Sequence, residues 1–235
     1  MLGGTVHHHE LHASNGFAVD AEALLADVLR VAPHVVLLVN PNNPTGRLWP
    51  REQLIRFLDQ LPDEVLTIVD EAYLDYAGAG ESLESEAARR PNLVVIKSMS
   101  KVYSLSGARV AYMVTEARRT AQLRPWLPPW PVGLLAQAAA MEALRDPSWY
   151  LSNYAETHRL REHLRTRLAP LHPVESDVNF FLIQPPNPAA LAAALRQRQI
   201  FVREFPDGPL ACRYLRVTVK DAVQNERLAS AILEL

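Results

Sequence analysis

Three short apolar runs, Val35–Val39, Val65–Val69 and Leu93–Ile96, each end in a cluster of polar, chemistry-bearing residues. Between them the apolar residues change period. Asp20 precedes Leu24, Leu25, Val28 and Leu29, a helical stripe that it can cap. Pro50 suits a first helical turn, and Leu54, Ile55 and Leu58 form the next stripe. The continuous run Val35–Val39 predicts a strand buried on both faces, and Val110–Val114 predicts a further strand. This strand–helix alternation predicts an α/β domain, a mostly parallel sheet flanked by helices.

The rhythm breaks at Arg124–Pro131, where four prolines in seven residues from Pro125 forbid regular structure. A helical stretch follows. Trp149–Leu168 then predicts a long helix with Leu160, Leu164 and Leu168 on one line. Strands are expected at Asn179–Ile183, Ile200–Arg203 and Tyr214–Val219, with a helix near Ala189–Gln197. We read residues 1–145 as a large domain and 146–235 as a smaller α+β carboxy-terminal domain.

The 235 residues carry a net charge of -2 with basic residues spread along the chain, which argues against a nucleic-acid partner. One cysteine, Cys212, excludes an intramolecular disulfide framework and fits a reducing cytosol. No apolar run is long enough to span a bilayer and the first residues lack the pattern of a leader, so the expected location is cytoplasmic, with no membrane partner. His7, His8, His9 and His12 invite a metal reading. No carboxylate or cysteine pattern completes a site, and a solvated strand end is the expectation, with no metal.

Each polar cluster lies at the carboxyl end of a predicted strand, where open α/β sheets bind ligands. Asn40-Pro-Asn-Asn-Pro-Thr-Gly46 follows the first run. Asp70-Glu-Ala-Tyr73 follows the second. Ser98-Met-Ser-Lys101 follows the third, with Arg109 eight residues beyond Lys101. Together these describe a site for pyridoxal phosphate. The neutral amine of Lys101 can form a Schiff base with an aldehyde and later carry protons at the substrate carbon. Asp70 closes an apolar strand, where a carboxylate needs a partner; a protonated pyridine nitrogen is one, and capping the next helix is another. Glu71 is its rival, turned away by strand alternation. Tyr73 and Asn43 can donate to a phenolate oxygen, and Asn43 also suits a turn. Arg109, Ser98 and Ser100 offer a charged fork and two hydroxyls for a phosphate; a surface ion pair would also suit Arg109. Arg203 and Arg216 stand among apolar neighbours. A substrate carboxylate or phosphate would explain them, as would an internal salt bridge.

In this order and spacing the motifs resemble those of fold type I, class I/II aminotransferases, most closely the histidinol-phosphate aminotransferase group, over nearly the whole chain. The resemblance implies pyridoxal 5'-phosphate as cofactor, Lys101 as its covalent lysine, and Asp70 on the pyridine nitrogen. It implies Tyr73 and Asn43 at the phenolate oxygen, and Ser98, Ser100 and Arg109 at the phosphate. Arg216 matches the family's substrate-anion arginine and Arg203 a second one that grips a substrate phosphate. The implied activity is amino transfer between a small amino compound, such as histidinol phosphate, and 2-oxoglutarate, by a homodimer.

Two features depart from the family pattern. A Gly-rich turn opening a helix, a ring-stacking aromatic and a first strand would precede Leu11, and none is found there. The expectation is an amino-terminally truncated large domain that binds cofactor weakly. Val102–Ala108 also differs in detail from the commoner loop, which bears on substrate. A threonine-phosphate decarboxylase resembles the same branch, and Pro128-Pro-Trp130 is similar to its proline–tryptophan turn. An inactive truncated fragment is the third reading.

Overall fold

The computed structural model describes residues 3–235. Its first half runs α1 (Ala21–Val31), β1 (Val35–Val39), α2 (Arg51–Leu58), β2 (Leu66–Asp70), α3 (Glu84–Ala87), β3 (Leu93–Ser98) and β4 (Ala111–Val114). The strands lie in that order in one sheet. β1, β2 and β3 are parallel, and β4 runs antiparallel beside β3. The sheet is therefore mostly parallel, as the alternation of periods requires.

The helices form where the sequence places their caps. The Ala23 amide donates to Asp20 Oδ1 at 3.0 Å, satisfying one orphan donor at the start of α1. Leu24 and Val28 of α1, with Leu54 and Phe57 of α2, pack on Val36, Val69 and Val95 of the sheet. Each such buried side chain contributes about 1.5–3 kcal/mol. Leu29 does not join them. It is rotated off the line that Leu24 and Val28 share, and faces solvent.

β1 also departs from expectation. Val36 is buried, but Val35 is 47% and Leu37 65% exposed. β1 is the sheet's edge strand, paired only with β2. Alternation turns Val36 into the core of α1 and α2 and sends Val35 and Leu37 to the other face. The histidine segment is not a strand end either. Residues 3–12 are irregular, and His9 Nδ1 lies 2.8 Å from Asp27 Oδ2 on α1. Among the described residues no group of three or more His, Cys, Asp or Glu side chains is placed to hold a metal ion. No described helix is long and apolar enough to cross a membrane.

The second half begins with α4 (Ala117–Leu123) and a 3-10 turn at Arg124–Trp126. The proline-rich stretch then stays irregular until α5 (Leu134–Arg145). Trp126 is 85% and Trp130 92% exposed there. α6 (Pro147–Arg167), β5 (Phe180–Ile183), α7 (Pro188–Gln197), β6 (Leu215–Thr218) and α8 (Ala222–Leu233) complete the chain. β5 and β6 pair antiparallel and build a second core, in which Phe181, Ile183, Leu215 and Val217 meet Leu160, Leu164 and Leu228.

The expected strand at Ile200–Arg203 is absent, and only Arg203 makes a bridge, to Arg216. The Ile200 amide still bonds back to Leu195 O, closing α7, so the chain has one residue in register before it turns away. Pro206 and Pro209 follow, and neither has an amide hydrogen to extend a ladder.

One tie between the two halves is a close approach at Gly46. Gly46 has φ 79, and a Cβ there would meet Ser176 Oγ at 2.2 Å. Only glycine combines that conformation with that clearance. Its carbonyl accepts from the Asp177 amide at 2.8 Å, and Asp177 Oδ2 accepts from the Leu48 amide at 2.9 Å. The loop itself is closed by Asn40, whose side chain bonds both the amide and the carbonyl of Trp49, at 2.8 and 2.9 Å.

Candidate active site

The carboxyl ends of β1, β2 and β3 are adjacent by register. Val39 pairs with Asp70, and Asp70 with Ile96, two residues before Ser98. The Asn40 amide donates to Asp70 O at 2.9 Å. One sheet rim therefore presents the loop of Asn43, the Asp70–Tyr73 segment and the Ser98–Lys101 segment side by side.

Asp70 Oδ1 accepts from the Ala72 amide at 2.9 Å, a short turn that fixes the carboxylate. Its Oδ2 makes no hydrogen bond to the described residues. Glu71, the rival carboxylate, is fully engaged elsewhere. Its Oε1 accepts from the Leu83 amide at 2.8 Å and its Oε2 from Ser82 Oγ at 2.7 Å. Burial pushes its carboxyl above the usual range, against the pull of those donors and of Lys97.

Tyr73 packs edge-on against Phe180, with centroids 5.0 Å apart. Burial raises its phenol pKa; the Arg216 charge opposes the shift and Asp70 adds to it. Tyr73 is thus a hydrogen-bond donor at neutral pH. Arg216 lies over the same Phe180 ring at 4.7 Å and donates from its NH1 to Asn43 Oδ1 at 2.6 Å. This bond joins β6 to the loop after β1. It also fixes the Asn43 amide, because with Oδ1 engaged, Nδ2 is the group left to donate. Arg216 Nε is buried without a partner. Burial lowers the Arg216 pKa, the Arg203 charge lowers it further, and Tyr73 opposes. Arg203 sits directly across, bonded to Arg216 through both backbone amides at 3.1 and 3.0 Å, with its side chain exposed. No internal salt bridge to either arginine is found among the described residues.

The third segment is a tight loop. The Ser100 amide donates to Ser98 Oγ at 3.3 Å, Ser106 Oγ to Ser100 O at 2.6 Å, and Arg109 NH1 to Ser106 O at 3.1 Å. Arg109 is exposed, so most of its fork remains available to an anion. Tyr76 donates to the Lys101 carbonyl at 3.5 Å, and Tyr154 of α6 to the Val102 carbonyl at 2.8 Å. The Lys101 side chain is exposed and makes no ion pair or hydrogen bond with the described residues. Lys97 is its opposite. It is buried, with Nζ 2.7 Å from Asp75 and 3.4 Å from Glu71. Burial works against its charge, but Asp75, Glu71 and Glu84 outweigh it and hold the ammonium above its ordinary range. An ammonium so held is no nucleophile.

The rim and the loops beside it therefore carry an unpaired lysine, a half-engaged carboxylate, a tyrosine and an asparagine amide able to donate, and hydroxyls with an arginine. Sequence reasoning missed Phe180, which stands between Tyr73 and Arg216, and Tyr76, which reaches Lys101. Phe180 reads as one apolar residue of a strand, and its role depends on which sheet face meets β1's loop. Only the aromatic spacing of Tyr73 and Tyr76 could have flagged the second.

Comparison with known proteins gives the family and the fold. The family model described as "Aminotransferase class I and II" matches residues 1–232. A histidinol-phosphate aminotransferase of Desulfitobacterium hafniense is 31% identical over 226 residues, 94% of this chain and 61% of that protein. The crystal structure of histidinol-phosphate aminotransferase from Sinorhizobium meliloti in complex with pyridoxal-5'-phosphate superposes with a TM-score of 0.81 at 29% identity, over 92% of this chain and 60% of that one. L-threonine-O-3-phosphate decarboxylase from Porphyromonas gingivalis gives 0.77 at 26%, over 85% and 63%. The chain thus spans about three fifths of the length of these relatives. A match over almost every residue, with a shared fold, makes the chain a member of the class I and II aminotransferase family.

Proposed function

We propose that this chain carries the catalytic lysine and most of the cofactor site of a pyridoxal-phosphate-dependent aminotransferase. The donor is histidinol phosphate or a similar amino phosphate, and the acceptor is 2-oxoglutarate. The observation that carries the reading is the rim itself, where a half-engaged Asp70 ends β2 and an unpaired Lys101 lies in the loop that follows the adjacent parallel strand β3.

When bound, pyridoxal phosphate supplies an electron sink for the bond that breaks at the substrate α carbon. Asp70 Oδ2 holds a proton on the ring nitrogen. Tyr73 and Asn43 Nδ2 donate to the phenolate oxygen, and Ser98, Ser100 and Arg109 bind the phosphate. Lys101, as a neutral amine, moves the proton at the substrate carbon. Arg216, desolvated on Phe180 with an unpartnered Nε, takes the substrate anion. Arg203, exposed beside it, suits a dianionic phosphate better than a lone carboxylate.

Residues 1–145 and 146–235 act as two domains, with Arg216 and Asn43 meeting between them. A homodimer is supported by the exposed Trp126, Trp130, Leu134 and Leu135. A cytoplasmic location fits the single free Cys212. The test is a donor panel with 2-oxoglutarate. Amino transfer from histidinol phosphate well above alanine or aspartate is expected, and preference for an unphosphorylated donor would refute the phosphate assignment. The likeness to the threonine-phosphate decarboxylase keeps one rival, which carbon dioxide release from threonine phosphate without amino transfer would establish.

A further inference from the structure

Behind the rim lies a buried charge cluster that no step above uses. Lys97 Nζ contacts Asp75 Oδ1 at 2.7 Å, Glu71 Oε2 at 3.4 Å and Glu84 Oε1 at 3.9 Å. Tyr112 donates to Glu84 Oε1 at 2.8 Å. Lys97 and Glu71 are almost wholly buried. The placement of these residues along the chain is informative. Glu71 follows Asp70, Asp75 lies two residues past Tyr73, and Lys97 precedes Ser98. Successive residues of extended chain point to opposite sides. Glu71 and Lys97 are therefore each fixed to the backbone one step from a residue of the rim.

Backbone pairing does not reach this far. The β2–β3 ladder ends at Asp70 and Ile96, with a last bond from the Glu71 amide to Ile96 O at 2.8 Å. Beyond it, side chains join the two segments: Lys97 to Asp75, and Tyr76 to the Lys101 carbonyl. We propose that Lys97 is a positioning residue, whose buried ammonium sets the spacing between the Asp70–Tyr73 and Ser98–Lys101 segments. This rests on reading those segments as the cofactor site. One cation among three carboxylates makes the arrangement strict, since withdrawing it leaves Glu71 and Asp75 as like charges facing each other away from water.

The test compares Lys97→Met, Lys97→Arg and the milder Asp75→Asn in the full chain. Two readouts are taken: amide hydrogen exchange along the chain without cofactor, and pyridoxal-phosphate affinity, with borohydride reduction to map the labelled lysine. Lys97→Met should raise exchange about tenfold or more in both Ala72–Tyr76 and Ser98–Lys101, leave Phe180–Ile183 unchanged, and weaken cofactor binding about tenfold. Lys97→Arg should recover both readouts, and Asp75→Asn should fall between. If Lys97→Met does not fold, Asp75→Asn decides on the same measurements. Exchange that rises uniformly along the chain would mean a merely structural role and overturn the proposal. So would wild-type cofactor affinity with both segments loosened. Failure of the wild type to label Lys101 is a different result, which removes the cofactor reading itself and the positioning role with it.

Discussion

Asp70 and Glu71 are consecutive carboxylates at the end of one strand, and Ser98 and Lys97 are consecutive on the next. In each pair one member faces the rim and the other faces the interior. Asp70 makes one short hydrogen bond and keeps an oxygen free, whereas Glu71 has both oxygens bonded. Lys101 is exposed and unpaired, and Lys97 is buried between carboxylates. One step of backbone separates Asp70 from Glu71, and four separate Lys97 from Lys101, so groups left available for a ligand lie close along the chain to groups saturated by the protein. The comparison teaches that the two sides answer to different demands. One needs unsatisfied polar atoms at a surface, the other none in the interior.

If that division is sound, substitutions on the two sides should fail differently. Lys101→Met should lower turnover by about 10³-fold or more and abolish borohydride-fixed cofactor, yet leave stability within about 0.5 kcal/mol. A large fall in melting temperature would place Lys101 among the supporting residues instead. Asp70→Asn should slow turnover by roughly 10²-fold while retaining some bound cofactor, because a neutral amide cannot hold the ring proton in the reaction's charged stage. Near-normal turnover in steady-state assays would reduce Asp70 to a turn residue.

On the interior side, Glu71→Gln should cost about 1–3 kcal/mol in urea unfolding, since one amide cannot accept from Leu83, Ser82 and Lys97 as a carboxylate does. A shift in catalytic pH profile without a loss of stability would blur the comparison. The smallest effect is expected from alkali. Lys97 has its pKa raised above 10.5, and Tyr73, Tyr112 and Tyr154 above 10.0. Because the native state holds these protons more tightly than the unfolded chain, their contribution is complete below about pH 10 and is lost as pH rises through the folded values. Urea midpoints measured from about pH 8 to about pH 11 should be flat and then fall. A steady rise across that window would contradict the burial of these groups.

Much of the rim is legible in the sequence because each of its motifs follows an apolar run, and a run's end is a place in a parallel sheet. Asn43, Asp70 and Ser98 could be put on one side of one sheet before any coordinates. The interior cluster could not. Asp75 and Glu84 resemble the solvated charges of any helix start, and nothing local says that Lys97 points at them. The failures have similar causes. Val35–Val39 is apolar throughout, yet composition does not say whether both faces are covered, and at the sheet edge one is not. Ile200–Arg203 has strand-like residues, but the return of Ile200 to Leu195 spends them on ending a helix. That Arg216 meets Asn43, 173 residues away, depends on the packing of two separate cores through Gly46 and Ser176.

The distribution of indoles has an optical consequence. Of the four tryptophans, Trp126, Trp130 and Trp149 are exposed and Trp49 is buried, its ring 5.1 Å from Phe57. Bulk emission from the native protein should therefore be red-shifted and quenched by acrylamide, and it should change little when the cores melt. Trp49 alone contributes the blue, shielded component. It is also the residue that Asn40 clamps at the far end of the loop bearing Asn43. With the other three replaced by phenylalanine, the remaining fluorescence becomes a local gauge of whether that loop is seated.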